Sequence, residues 1–270
     1  MKCITFDRYI EVFSVLEKYS VEYPFMLDHL LDVVERNFPG GLSMLDIGAG
    51  TGKFAGSFLR KCRVPVTGYT AIEPSGEHVS QIRENLKDIS VEKEIINDCF
   101  TPQTNFHKKF DFILLSHCTY CFLPDPEPYL LHALDLLRDY GKVVIYHGSP
   151  SNFCYFLNLL YSEILPRARI TDPTFTSWNV RDILEKNAIP YNVSYLPGAL
   201  KVGELFRKEN EALLNELITF SLMVESGSLE HSILERTKEI LKEIAYPSED
   251  GPLLNLGVDA ITVNTRIIKP

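Results

Sequence analysis

Three glycines spaced i, i+2 and i+4 (Gly48, Gly50 and Gly52) follow directly on a short apolar run, Met44 to Ile47. A second apolar run, Val66 to Ile72, ends in Glu73, twenty-one residues beyond Gly52. The pattern predicts a strand, a glycine turn, a helix and a second strand that ends in a carboxylate. Such a unit binds an adenosine-type ligand beyond the carboxyl ends of its strands. Glycine lets the main chain approach the ligand with no Cβ in the way, and the carboxylate accepts hydrogen bonds from two ribose hydroxyls.

The spacing separates two kinds of nucleotide site. A dinucleotide fold uses G-x-G-x-x-G, which seats a pyrophosphate on a helix N-terminus. Here the run is Gly48-Ala49-Gly50-Thr51-Gly52-Lys53, with lysine where that pattern has its third glycine. With Asp46 before the glycines and the corner Glu73-Pro74-Ser75, the segment resembles class I S-adenosylmethionine methyltransferases. That resemblance implies an α/β, Rossmann-like fold with a mostly parallel seven-stranded sheet and an antiparallel C-terminal hairpin. It also implies S-adenosylmethionine as cofactor, held around Asp46, Gly48, Ala49, Gly50, Gly52, Glu73 and Pro74.

The chain has 270 residues, 45% hydrophobic and 23% charged, enough to bury a full core in one large α/β domain. Its net charge of −9 repels phosphate backbones, so nucleic acid is not the expected partner. Of the six cysteines, Cys118 and Cys121 form a C-x-x-C, but no second pair or nearby histidine pair completes a metal set, and no metal is expected. The polar start, Met1 to Asp7, does not read as a signal peptide, and no apolar run approaches eighteen residues. A cytoplasmic monomer or homodimer that does not enter membranes is the expectation.

Residues 7–19 carry apolar side chains near helical period, with Asp7 as the expected cap. A second helix begins at Pro24 and stops at Pro39-Gly40-Gly41. Together, residues 1–41 form the expected N-terminal helical cap. Residues 42–149 form the expected cofactor-binding core, with strands at 43–47, 66–72, 91–96, 110–116 and 142–147. Helices at 52–62, 75–88 and 126–138 alternate with them, which argues for a parallel sheet covered on both faces. Residues 150–270 form the expected substrate-covering part, contiguous with the core. It holds helices at 151–165, 178–187, 208–225 and 230–245, and strands near 193–196 and 259–268.

Asp98, with its neighbour Cys99, stands just past the third strand, where this fold meets the adenine amino group. Ser116 and His117 end the fourth strand, and a histidine there can orient an acceptor nitrogen or take its proton. Methyl transfer needs in-line positioning of a lone pair more than it needs acid–base chemistry. Aromatic side chains steady a sulfonium by cation–π attraction. Tyr9, Phe13, Tyr120, Phe122, Phe153 and Tyr155 are the candidates, with core packing as the competing role of each.

At closer range the chain resembles the histamine N-methyltransferase family. Tyr9-Ile10-Glu11 with Phe13 is similar to that family's first helix, and Ser20-Val21-Glu22-Tyr23 to its Ser-Thr-Glu-His segment. Ile72 to His78 resembles its ribose corner, and Phe110 to Tyr120 its fourth strand and loop. The resemblance implies that Glu22 anchors the substrate amine, that His117 replaces a Gln facing the substrate ring, and that His78 stands near the ribose. It implies that Ser116 flanks the adenosine and that Asn255 is nearest to a substrate-contacting Asn. His117 titrates near neutral pH where a Gln does not, and the expected acceptor is a nitrogen of a small, histamine-like amine or azole. Glu22 and His117 are the expected catalytic pair. Methylation of oxygen or carbon on another metabolite stays open, as does a catalytically silent protein that binds the cofactor.

Overall fold

The computed structural model describes residues 1–167 and 169–264. Two compact units emerge, and neither is continuous in sequence. The first comprises Met1–Glu22, Gly148–Trp178 and Leu196–Val258; the second comprises Tyr23–His147, Asn179–Tyr195 and the described residues from Asp259 on.

The second unit carries the alternating pattern. Helix α2 (Tyr23–Asn37; α1, Phe6–Tyr19, lies in the first unit) precedes β1 (Leu42–Ile47), α3 (Lys53–Lys61), β2 (Val66–Ile72), α4 (Gly76–Asn85), β3 (Lys93–Ile96) and β4 (Phe110–Ser116). Then follow α5 (Glu127–Asp135) and β5 (Leu137–Gly148); later come α7 (Ser177–Lys186), β6 (Tyr191–Leu196) and β9 (Val258–Asn264). The seven-stranded sheet has the order β3-β2-β1-β4-β5-β9-β6. β1 runs parallel to both β2 and β4, and the chain reverses its direction of winding between them. Ligands of open parallel sheets bind beyond the strand ends at that point. The strands read as near-continuous apolar runs because both faces are covered: Met44, Leu45 and Ile47 of β1 and Phe112 to Leu115 of β4 are at most 1% exposed.

The first unit packs α1 (Phe6–Tyr19), α6 (Phe153–Leu160), α8 (Glu211–Leu222) and α9 (His231–Ile244) around a core that includes Val12, Leu16, Leu157, Leu217, Ile218 and Leu241. A two-stranded antiparallel sheet, β7 (Ala199–Lys201) with β8 (Leu253–Asn255), completes it.

Several expectations needed correction. Thr5, not Asp7, caps α1, its hydroxyl accepting from the Arg8 N–H at 3.3 Å; Asp7 lies in the first turn, where the helix dipole favours it. α5 stops at Asp135 rather than Arg138, because Leu137 is drawn into pairing with Phe110 at the start of β5. The register then slips, with Tyr140 at φ 69°, as in a bulge. The units also cut across the linear division at 41/42 and 149/150: α2 belongs with the sheet, and so do α7, β6 and β9. β7 and β8 were not foreseen, since three-residue strands are too short to show a period of two. Of the tail expected at 259–268, residues 265–268 lie outside the described residues. Among the described residues, no helix is long and apolar enough to cross a membrane.

Candidate functional site

In the second unit the chain turns sharply at the carboxyl end of β1. Gly48, Gly50 and Gly52 have φ of 68°, 55° and 73°, a region that L side chains rarely enter. Two of them are required by their neighbours. A Cβ on Gly48 would lie 2.6 Å from the Cys118 Cβ, and one on Gly52 would lie 3.1 Å from the Ile82 Cα. Gly50 differs, for a Cβ there would meet nothing within 4 Å. Its bare main chain borders open space, as a nucleoside cradle requires. The Gly52 N–H donates to the Ala49 carbonyl at 3.1 Å and closes the turn.

Glu73, 4% exposed, ties this turn to the next helix. Its Oε2 accepts from the Gly50 N–H at 3.0 Å, and its Oε1 accepts from the Ser75 N–H at 3.1 Å, with His78 Nδ1 at 3.3 Å. Ser75 caps α4 by accepting from the His78 N–H. The Asn97 amide clamps the corner from β3, donating to the Glu73 carbonyl at 3.1 Å and the Pro74 carbonyl at 2.9 Å. Asp46 lies deeper, where the Tyr69 hydroxyl donates to its Oδ2 at 2.7 Å. Burial raises its carboxyl to about 7 against the opposing Tyr69 hydrogen bond, with the charge of Glu73 adding to the rise.

Beyond the ends of β2 and β3 lies a cavity of about 390 Å³, lined among others by Ile72, Ile96, Asp98, Cys99, Thr101 and Phe106. The Asp98 Oδ1 accepts from the Cys99 N–H at 2.7 Å. Ile72, Ile96 and Phe106 offer faces for a flat base, and Asp98, Thr101, Gln103, Thr104 and Asn105 offer polar partners for its edge. The donor and acceptor set from Gly48 to Cys99 thus fits an adenosine.

At the end of β4, Ser116 pairs with Tyr146, and the His117 N–H donates to the Tyr146 carbonyl at 3.0 Å from a left-handed φ of 51°. Burial, and then the neighbouring His147, pull the His117 imidazole down to about 3. The expectation of a histidine that switches near neutral pH therefore fails, because a buried site penalises the imidazolium. Tyr120 lies against His147 with ring centroids 5.0 Å apart, and Thr119 Oγ1 is 3.0 Å from His147 Nδ1.

The first unit holds the remaining candidates. The Val21 N–H donates to the Ala199 carbonyl at 2.9 Å, and Ala199 pairs with Asn255 across β7 and β8. Glu22 and Asn255, 233 positions apart in the numbering, thereby flank the same short strand. Gly198 faces both segments: a Cβ there would meet the Leu256 carbonyl oxygen at 2.6 Å and the Glu22 Cβ at 3.2 Å. Glu22 is 5% exposed. Burial pushes its carboxyl up to about 8, with a hydrogen bond from Ser20 opposing the rise. The Asn255 Oδ1 accepts from the Gly257 N–H at 2.8 Å. Tyr9 and Phe13 form an aromatic group with Phe220, centroids about 6 Å apart, and Phe153 is buried in the same unit's core.

Sequence reasoning missed Tyr69, Asn97, His147 and Gly198, and it read Cys118 only as half of a C-x-x-C. Only His147, a lone polar residue ending an apolar strand, left a signal in the sequence.

Among curated proteins, none matches this sequence. The structure is similar to that of the YcgJ protein from Bacillus subtilis, with TM-score 0.57 and 15% identity, covering 89% of this chain and 97% of that one. It is also similar to the plantazolicin methyltransferase BpumL in complex with S-adenosylhomocysteine, with TM-score 0.55 and 13% identity, covering 95% and 90%. At these identities the likeness is one of fold, and the fold is the Rossmann-like class I methyltransferase fold. A family model described as "Methyltransferase domain" matches residues 22–160, more than half of the chain, so the chain belongs to that methyltransferase family.

Proposed function

We propose that this methyltransferase acts on a nitrogen of a small amine or azole, with Glu22 as the anchor of that nitrogen. S-adenosylmethionine is the methyl donor; when bound, it supplies a methyl group on a sulfonium already activated for displacement. Its holders are the main chain from Gly48 to Gly52, Glu73 at the ribose and Asp98 at the adenine edge, with Ala49, Pro74, His78, Cys99 and Ser116 around them. What the protein adds to the chemistry is chiefly alignment.

The observation that carries the nitrogen reading is Glu22, a buried carboxyl held near 8. In its ionised form such a group can take the proton of an alkylammonium with a pKa of about 10 at a cost of about 3 kcal/mol. The amine lone pair is then free, and the carboxyl stays within hydrogen-bonding reach of it. An ordinary exposed carboxylate would hold the ammonium without deprotonating it. His117, neutral at working pH, keeps one donor and one acceptor for an azole ring; it orients rather than titrates. Tyr9, Phe13, Tyr120 and Phe153 are the aromatic contacts of this reading, and Asn255 its second polar one. The segments similar to histamine N-methyltransferase support it.

The test is a scan of amines, azoles and phenols with labelled S-adenosylmethionine, the product identified by mass. Methyl transfer to nitrogen is expected, with a raised KM in Glu22→Gln and unchanged affinity for S-adenosylhomocysteine. Transfer only to phenol oxygen, or equal loss of cofactor affinity in Glu22→Gln, would overturn it.

A further inference from the structure

The two oxygens of the Asp46 carboxyl, in the second unit, are unequally used. Asp46 is 3% exposed, and its Oδ2 accepts at 2.7 Å from the hydroxyl of Tyr69, which is 1% exposed. Oδ1 accepts no hydrogen bond from the described residues, yet it is not sealed from solvent. The strand register explains the contact. Asp46 stands opposite Ala71 across the parallel pair β1 and β2, and Tyr69 stands two positions before Ala71 on the same face. The small Ala71 side chain leaves the tyrosine room to lean toward the carboxyl ends of the strands.

Negative charge is uncompensated at this point. Burial raises the Asp46 carboxyl, the Tyr69 hydrogen bond opposes that rise, and the charge of Glu73 adds to it. No cation is among the groups that act on Asp46. Cys118, in the loop after β4, is subject to the charges of both Asp46 and Glu73, and burial keeps its own thiol protonated. A Cβ on Gly48 would collide with that same Cys118, so the two carboxylates and the first glycine of the turn gather in one small region. His78 reaches Glu73 and not Asp46. Buried charges are normally paired, and the group that pairs with Asp46 is not supplied by the described residues.

The nucleoside of S-adenosylmethionine is neutral. Its positive charges lie on the amino-acid part, as sulfonium and α-ammonium. With Glu73 and Asp98 given to the nucleoside, Asp46 is left for the charged part. Resting on that reading of the cradle, we propose that Tyr69 is a positioning residue of the cofactor site, whose hydroxyl turns the Asp46 carboxylate so that Oδ1 receives the α-ammonium. Tyr69 acts through Asp46 and supplies both orientation and ionisation, since a hydrogen bond to the ionised form favours it. The Asp46 carboxyl stands at about 7 in the free protein and must be ionised to pair with the ammonium. Binding therefore releases a proton below that pH, and affinity rises as pH rises through it.

The experiment is calorimetry on the full chain across neutral pH with two probes. S-adenosylhomocysteine keeps the α-ammonium; methylthioadenosine keeps the nucleoside without the amino acid. Wild-type affinity for S-adenosylhomocysteine should rise about ten-fold from about pH 6 to about pH 8 and bend near 7, while that for methylthioadenosine stays flat. Titrations in two buffers of different ionisation heat should count a released proton with the first probe and none with the second. Tyr69→Phe should move the bend upward, weakening S-adenosylhomocysteine about five-fold at about pH 7 and little at about pH 8.5. A tyrosine that only packs would cost the same factor at every pH. Asp46→Asn should abolish the bend, and adding Tyr69→Phe to it should leave the profile unchanged. If Tyr69→Phe lowers the melting temperature, a fluorotyrosine placed at position 69 keeps the ring and is a stronger donor, so the bend should move downward. The proposal is overturned if the wild-type profile is flat, if methylthioadenosine shows the bend too, if the bend survives Asp46→Asn, as it would were His78 the titrating group, or if changes at Tyr69 leave it in place. Failure of the cradle reading looks different: Glu73→Ala would then leave the affinities of both probes unchanged.

Discussion

The proposed cofactor cradle of the second unit and the Glu22 region of the first solve opposite problems. In the cradle, the Glu73 carboxylate is oriented by the Gly50 and Ser75 N–H groups and by its neighbour His78. The residues of turn, corner and cap lie in two short stretches, 46–52 and 73–78. The Glu22 region is instead assembled from three distant segments, 20–22, 198–200 and 253–256, and burial is the largest influence on its carboxyl. The first arrangement fixes a carboxylate through hydrogen bonds that are local in sequence. The second keeps a carboxyl protonated near neutral pH by withholding water from it.

Substitutions can break or sharpen this contrast. The largest effect is expected from Gly48→Ala, which adds a Cβ 2.6 Å from the Cys118 Cβ at a positive φ. A loss of about 2–4 kcal/mol of stability, read by urea unfolding, should accompany loss of S-adenosylhomocysteine binding. Glu22→Gln should act in the opposite direction. The Glu22 carboxyl is raised above its unfolded value, so the folded state holds its proton longer than the unfolded state. Stability from this group is therefore present below about pH 4.5 and falls as pH rises toward 8. The variant should match wild type near pH 4 and exceed it at pH 8 by an amount on the order of 2–4 kcal/mol, read as a higher Tm. An unchanged difference across that range would mean that Glu22 does not titrate there.

Glu73→Ala should weaken S-adenosylhomocysteine binding by about 1–3 kcal/mol, through lost charge-assisted hydrogen bonds, and calorimetry reads this directly. Gly198→Ala, which crowds the Leu256 carbonyl and the Glu22 Cβ, should raise the acceptor KM by about five- to ten-fold, worth about 1 kcal/mol. Cofactor affinity should stay unchanged. The smallest effect concerns His117: with its imidazole near 3, kcat/KM should show no inflection from this group between pH 5 and 9. An inflection near 6.5 that disappears in His117→Gln would contradict the buried, neutral imidazole.

Legibility followed the same divide. The strands at 66–72 and 110–116 were readable to the residue, because apolar, aromatic and β-branched side chains dominate each and Pro or charge stands at their ends. The glycine turn and Glu73 were readable because their geometry is dictated within a few residues. The end of α5 was not, since pairing between Leu137 and Phe110 overrode local helix preference. Nor was the state of His117, whose proton affinity depends on burial and on His147, thirty positions away. Tyr69 beneath Asp46 and Asn97 across the Glu73 corner were invisible, because ordinary strand residues carry no mark of what they will touch.

The sequence by itself determined the alternation of strand and helix, the bare main chain at 48–52 and the acid at 73, because backbone sterics and apolar periodicity act over short distances. Only the tertiary structure decided that Glu22, Gly198 and Asn255 gather around one short strand and that His117 stays neutral. Those outcomes depend on which surfaces lose water together, and that is settled when distant segments pack.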